Sequence, residues 1–213
     1  MKLSAVILAG GKNSRIDGLD KAFLLLEGKP LIEKLVNVLS PIFDEIVIVT
    51  NSPEKYAKNS FLSDVIITTD IIKNIGPLGG IHSGLCTIKN DAAFVVACDM
   101  PYLDKNLILE QVKTFQAQKV DCEIAKCDNK VHPLHSIYSK LVLALIPEVI
   151  ESGNFALMNL IDRCEKVSVM EFDPFYERCF TNINWASDVD SVEAQLIAPL
   201  RNFERKLKKL CRK

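Results

Sequence analysis

Lys12, Arg15 and Lys21 stand together in one short loop that opens on the adjacent glycines Gly10 and Gly11. Cations packed so closely can offset most of the charge of a triphosphate, as ammonium and guanidinium groups do on phosphoryl oxygens. The glycines let the backbone approach a ligand closely, because no Cβ intervenes. Two carboxylates fall at comparable places further on: Asp70 ends the apolar run Val65–Thr69, and Asp99 follows the run Ala92–Ala97. A carboxylate beside a triphosphate can hold Mg2+, which takes oxygen ligands from side chains, water and phosphate. Each aspartate also suits a plain turn or a helix N-cap. Asn182 and Asn184 occupy alternate positions of an extended stretch and so share a face. Neutral amides there suit a metal's water shell or a ligand's polar groups.

The elements that must position these residues alternate in type. Ala5–Leu8, Glu45–Val49, Val65–Thr69 and Ala92–Ala97 read as strands. Their unbroken apolar character suits a parallel sheet covered on both faces. Pro30–Leu39, Leu78–Ile88 and Lys105–Phe115 read as helices between them, with Leu31, Ile32, Leu35, Val38 and Leu39 forming one apolar stripe. This order predicts a Rossmann-like three-layer α/β/α fold. Val120–Cys127 and Val131–Tyr138, joined at Asp128-Asn129-Lys130, predict two antiparallel strands and hence a mixed edge on a mostly parallel sheet. Helices are expected over Lys140–Ile150 and Phe155–Arg163, and a last strand over Val167–Phe172. Residues 1–190 read as one domain and 191–213 as a basic amphipathic helical tail. In the tail, Leu196, Leu200, Phe203, Leu207 and Leu210 recur at helical spacing against lysines and arginines. Such a tail is a solvated helix face or a docking surface for an acidic partner protein.

Other chemistries fit less well. Lys12 is followed by Asn13, so the loop is no Walker A motif, and Gly10-Gly11 cannot be placed in G-x-G-x-x-G. A net charge of −1 over 213 residues supplies no global field for nucleic acid. Apolar runs such as Ala92–Cys98 fall well short of the ~20 residues of a membrane span. The first residues enter a strand directly, with no signal-like region, and the seven cysteines include no C-x-x-C. A reduced, cytoplasmic protein is expected, with Cys86 and Cys98 as small buried hydrophobes. Cys122, Cys127, His132 and His135 raise the question of zinc. Strand alternation predicts that the members of each pair point to opposite faces, which argues against it.

The loop LAGGKNSRIDGLDKA resembles the signature of the MobA-like nucleotidyltransferases. Further pieces follow in order: Gly28-Lys29-Pro30-Leu31, Asp70 before Gly76-Pro77-Leu78-Gly79-Gly80, Asp99 in Cys98-Asp99-Met100-Pro101, His132-Pro133-Leu134, and Asn182-Ile183-Asn184. The resemblance implies Mg2+-dependent transfer of GMP from GTP to the terminal phosphate of molybdenum-loaded molybdopterin. It implies that Leu8, Ala9, Gly10 and Gly11 meet the nucleotide, and that Asp70 contacts it. Arg15 and Lys21 would act on the phosphates, Asp99 on the metal, and His132, Asn182 and Asn184 on the acceptor. Molybdopterin-transfer proteins or molybdoenzyme chaperones are possible partners. The chain departs from the family pattern at Ser14 and Asp17, where the family carries Arg and Gly. Two alternatives stay open: a related transferase using CTP or another nucleotide with another phosphorylated acceptor, and a regulator that binds nucleotide without turnover.

Overall fold

The computed structural model describes residues 2–10, 15–16, 19–183 and 195–196. Seven strands form the central sheet: β1 (Ser4–Leu8), β2 (Ile46–Val49), β3 (Ile66–Thr68), β4 (Ala92–Ala97), β5 (Cys122–Cys127), β6 (Lys130–Ser139) and β7 (Val167–Phe172). Their spatial order is β7-β5-β6-β4-β1-β2-β3. Pairings are parallel except for β6, which runs antiparallel to both β4 and β5. The expected mixed character is therefore present, with the reversed strand β6 inside the sheet and β5 and β7 beyond it, β7 at the edge. Asp128 and Asn129 turn the β5–β6 hairpin with φ of 48° and 60°. That left-handed pair matches the twist of the strands it joins, and Asp and Asn tolerate it.

Helices cover both faces. Helix α1 (Leu31–Leu39) and α3 (Lys105–Gln118) bury Ile32, Leu35, Leu39, Leu107, Ile108 and Phe115 against Ala5, Ile7 and Phe94. Helix α2 (Pro77–Thr87) lies on the other face, where Leu78, Ile81 and Leu85 meet Val6, Leu8 and Val47. Its glycines set how closely it lies. A Cβ on Gly84 would fall 2.5 Å from Val6 Cγ1, and one on Gly80 2.9 Å from Leu8 Cδ2. Gly80 and Gly84 thus serve the packing of α2 on β1.

Boundaries differ from expectation where proline acts. Pro30 is extended (ψ 142°) and pairs with Leu25, so α1 begins one residue later. The segment expected as one helix over Lys140–Ile150 is a 3-10 turn, Lys140–Leu145, followed by a short α-helix, Ile146–Glu151. Pro147 stands in the first turn of that helix and has no N–H to give a continuous one. Cys98 is buried as expected, but Cys86 is exposed on α2. Of the tail, only Gln195–Leu196 are described, paired antiparallel with Leu24–Leu25. No helix among the described residues is long and apolar enough to cross a membrane.

Candidate functional site

Strands β1, β2, β3 and β4 are parallel, so the residues that follow them emerge at one edge. Backbone bonds carry the sheet just past its ends: Ala9 N to Val49 O at 2.8 Å, Cys98 N to Leu8 O at 3.0 Å, and Thr50 N to Thr68 O at 2.9 Å. Ala9-Gly10, Asn51, Asp70 and Asp99 therefore share the rim where open α/β sheets bind ligands.

Lys21 is the centre of this rim. It begins a 3-10 turn, Lys21–Phe23, whose N-cap Asp20 accepts a bond from Ala22 N. Only 3% of Lys21 is exposed. Its Nζ donates to the Ile183 carbonyl at 3.0 Å and lies 3.4 Å from Asp99 Oδ2. Ile183 N in turn donates to Asp99 O at 2.7 Å. One buried ammonium thus ties together the loop after β1, the loop after β4 and the segment before Asn184. Burial pushes the Asp99 carboxyl above its ordinary pKa, and the Lys21 ammonium opposes that rise.

Two rim residues form a second group. Asn51 Nδ2 donates to Asp70 Oδ2 at 2.8 Å. A Cβ on Gly10 would lie 3.2 Å from Asn51 Nδ2 and 3.9 Å from Asp70 Oδ2. Gly10, Asn51 and Asp70 are one polar cluster that a side chain at position 10 would crowd. Asn51 is absent from the sequence-derived candidates, although the signal that singled out Asp70 and Asp99, a polar residue just past an apolar strand, applies to it equally.

A cavity of about 310 Å3 opens beside Asp99, lined by Met100, Val131, His132, Pro133, Leu134, Leu157, Phe180 and Asn182. It is mostly apolar, with the imidazole of His132 and the amide of Asn182 as polar points. His132 stacks on Phe180 with ring centroids 4.7 Å apart. Burial pushes its imidazole below the ordinary pKa, which favours the neutral ring. His135 also meets Phe180, edge-on at 4.7 Å. The two histidines therefore reach the same ring, contrary to the expected alternation. The β5–β6 register shifts between His132 and Ile137, and this irregularity breaks the two-residue period. The cysteine half of that expectation stands, for Cys122 packs on one face of the sheet and Cys127 on the other.

The sequence-derived candidates thus form two adjoining groups: Leu8, Ala9, Gly10, Lys21, Asp70 and Asp99 at the rim, His132 and Asn182 in the cavity. Met100 beside Asp99, and Asn182 beside Ile183, connect them. Arg15 is placed by its backbone, in a two-residue strand paired with Asp20. Gly11 and Asn184, with Lys12, Ser14 and Asp17, lie outside the described residues. Among the described residues, no cluster of three or more His, Cys, Asp or Glu side chains could cage a metal. The single partly buried carboxylate of Asp99 suits Mg2+, which fills its octahedron mainly with water and phosphate oxygens.

The sequence profile of the MobA-like NTP transferase domain matches residues 5–167. A protein of Peptoclostridium acidaminophilum described as a probable molybdenum cofactor guanylyltransferase is 38% identical over 176 residues, covering 80% of this chain and 77% of its own. The molybdenum cofactor guanylyltransferase of Syntrophotalea carbinolica is 32% identical over 197 residues, covering 90% and 91%. The crystal structure of molybdopterin-guanine dinucleotide biosynthesis protein A from Archaeoglobus fulgidus superposes with a TM-score of 0.70 at 24% identity, covering 88% of this chain and 95% of that one. A 4-diphosphocytidyl-2C-methyl-D-erythritol synthase from Anaerococcus prevotii superposes at 0.65 with 18% identity, covering 88% and 92%. These two structures speak to the fold. With the profile match spanning most of its length, the chain belongs to the MobA-like NTP transferase family.

Proposed function

We propose that this chain is a molybdenum cofactor guanylyltransferase, transferring GMP from GTP to molybdenum-loaded molybdopterin with release of pyrophosphate. The observation that carries the reading is the buried Lys21–Asp99 pair at the strand-end rim, joined through Met100 and Ile183 to a largely apolar cavity. A nucleotide triphosphate and a flat, phosphorylated heterocycle need such neighbours: fixed charge for one, an apolar slot with a few polar points for the other.

In the reaction an oxygen of the acceptor's phosphate attacks the α-phosphorus, and the bond to the pyrophosphate oxygen breaks. Charge accumulates on phosphoryl oxygens, so positioned cations do most of the work. Lys21 supplies a cation that is already desolvated and held by Asp99 and the Ile183 carbonyl, and Arg15, whose backbone pairs with Asp20, would add another. Asp99 would hold Mg2+, which when bound neutralises phosphate charge and orients the phosphoryl group. Leu8, Ala9, Gly10, Gly11, Asn51 and Asp70 take the nucleoside side. His132, Asn182 and Asn184 take the acceptor, the neutral imidazole stacking against or hydrogen bonding to the heterocycle. The guanine preference and the acceptor's identity follow the curated relatives.

An NTP panel tests this reading. Pyrophosphate release is measured with GTP, ATP, CTP and UTP, with Mg2+, and with and without molybdenum-loaded molybdopterin. Release is expected with GTP and acceptor together, and faster than with the other nucleotides. Release that prefers CTP, or that ignores molybdopterin, moves the chain to another transferase. Tight GTP binding without release under any condition makes it a regulator.

A further inference from the structure

We infer that Tyr56 is a positioning residue for the transfer reaction, acting on Lys21 through Asp20 and Phe23. The inference rests on the reading of Lys21 given above and concerns a residue that touches no rim or cavity group itself. Tyr56 ends the short helix Pro53–Tyr56 after β2 and is fully buried. Its hydroxyl donates to Asp20 Oδ2 at 3.0 Å, while the other carboxylate oxygen of Asp20 accepts from Ala22 N at 3.1 Å. Its ring lies against Phe23, centroids 4.9 Å apart. Tyr56 therefore grips the residue before Lys21 and the second residue after it. Burial pushes the phenol's pKa far up, so the hydroxyl keeps its proton and remains a donor.

The need for such a grip follows from the chemistry of lysine. Its ammonium rides on a flexible stem and is a point charge without the fork geometry of arginine. Its aim is set by the backbone that launches it and by the partners that receive it. The receiving partners here are Asp99 and the Ile183 carbonyl. The launching turn is only three residues long and begins where the strand Leu19–Asp20 ends. Asp20 holds that turn by one carboxylate, and Tyr56 holds Asp20. A shift of about 1 Å in a catalytic group can cost on the order of a hundredfold in rate.

The test is a double-mutant cycle on the full chain. Tyr56→Phe keeps the ring on Phe23 and removes the bond to Asp20. Asp20→Ser can still accept from Ala22 N through its hydroxyl oxygen, but the shorter side chain has no second oxygen to accept from Tyr56. Each variant is assayed for pyrophosphate release with GTP and molybdenum-loaded molybdopterin, for GTP affinity by titration, and for thermal unfolding. Each single change is expected to lower kcat by roughly ten- to a hundredfold. GTP affinity should change by no more than about threefold, because a positioning defect falls on the transition state. The double variant should lose no more than the worse single one, since both changes break one bond. Unchanged kcat in Tyr56→Phe, independent losses that multiply in the double variant, or losses that track the fraction unfolded would each overturn the inference. If the wild type itself releases no pyrophosphate from any nucleotide, the proposed function fails first, and this inference falls with it.

Discussion

The rim and the cavity adjoin, yet they treat polar groups in opposite ways. At the rim, charge is held by a partner: the buried Lys21 sits between Asp99 and the Ile183 carbonyl, and the half-buried Asp70 accepts from the exposed Asn51. Behind the cavity wall, where His135 backs onto Phe180, polar groups between the sheet and α3 are buried and left without partners. Both ring nitrogens of His135, both carboxylate oxygens of Glu123 and the amide oxygen of Gln111 have none. Glu123 and His135 project from β5 and β6, while Gln111 comes from α3, its amide nitrogen donating to His135 O at 3.3 Å. A site for phosphate must keep charge available at fixed positions, so each charge has a group that holds it. A site for a heterocycle requires shape and neutrality. Behind that site the molecule has favoured uncharged forms of groups that would otherwise be ionised.

The strongest way to break this comparison is to remove charge from the rim. Asp99→Asn keeps the side chain's size, so Lys21 retains Ile183 O and a neutral neighbour instead of an empty space. Turnover is expected to fall by about a hundredfold or more, as when a group stabilising transition-state charge is lost. Asp99→Ala is the less clean probe, because it leaves the nearly buried Lys21 ammonium without its carboxylate and so threatens stability as well. The measurement is initial pyrophosphate release at saturating Mg2+ alongside thermal unfolding. An Asn variant within tenfold of wild type removes Asp99 from the reaction.

These two regions also differ in how far they could be read beforehand. The rim is made by parallel strand ends, and apolar runs followed by Gly10, Asp70 and Asp99 mark such ends directly. The partnering of Lys21 with Asp99 could not be read, because it spans 78 residues and depends on how β1 and β4 pair. Tyr56 was hidden for the same reason: nothing local distinguishes its hydroxyl from that of any other buried tyrosine. The cavity is less legible still. His132 was found by resemblance, whereas strand alternation placed His132 and His135 on opposite faces. The irregularity after His132, in a stretch containing Pro133, changes that geometry, and alternation carries no signal of it. Phe180, against which both histidines lie, comes from a 3-10 segment, Pro174–Phe180, that the sequence analysis did not register.

A smaller effect sharpens the division of labour. His132→Ala removes a ring stacked on Phe180 and a polar point from the cavity wall. An imidazole stacked on the heterocycle is worth about 0.5–1.5 kcal/mol, so the KM for molybdopterin should rise roughly three- to tenfold. GTP affinity by titration should stay at the wild-type value. A variant that weakens GTP and acceptor equally shows that the cavity and rim are one site, and the division fails.

The smallest effect concerns the buried neutral groups, and it appears in stability. Glu123 is fully buried on β5, and burial, with the nearby Glu110 adding to it, pushes its carboxyl up to about 8 from an ordinary 4.5. The folded protein therefore holds this proton where the unfolded chain has released it. That stabilising contribution is whole below the unfolded value and is lost as pH rises through the folded one. His135 acts in the other sense: burial lowers its pKa to about 4 from 6.5, so its contribution is whole above 6.5 and is lost as pH falls. Below 6.5 the two oppose each other; between 6.5 and 8 only Glu123 of this pair is still changing. In that window each pH unit can remove at most about 1.4 kcal/mol. Urea unfolding at intervals from pH 6.5 to 8 should show wild-type stability falling by about 1 to 2 kcal/mol over the window. Glu123→Gln, which keeps the shape and cannot ionise, should flatten the fall while leaving transfer from GTP unaltered at neutral pH. Parallel profiles for wild type and variant would mean that Glu123 is already ionised at neutral pH. The contrast between a charged rim and the neutral packing behind the cavity would then not extend to β5.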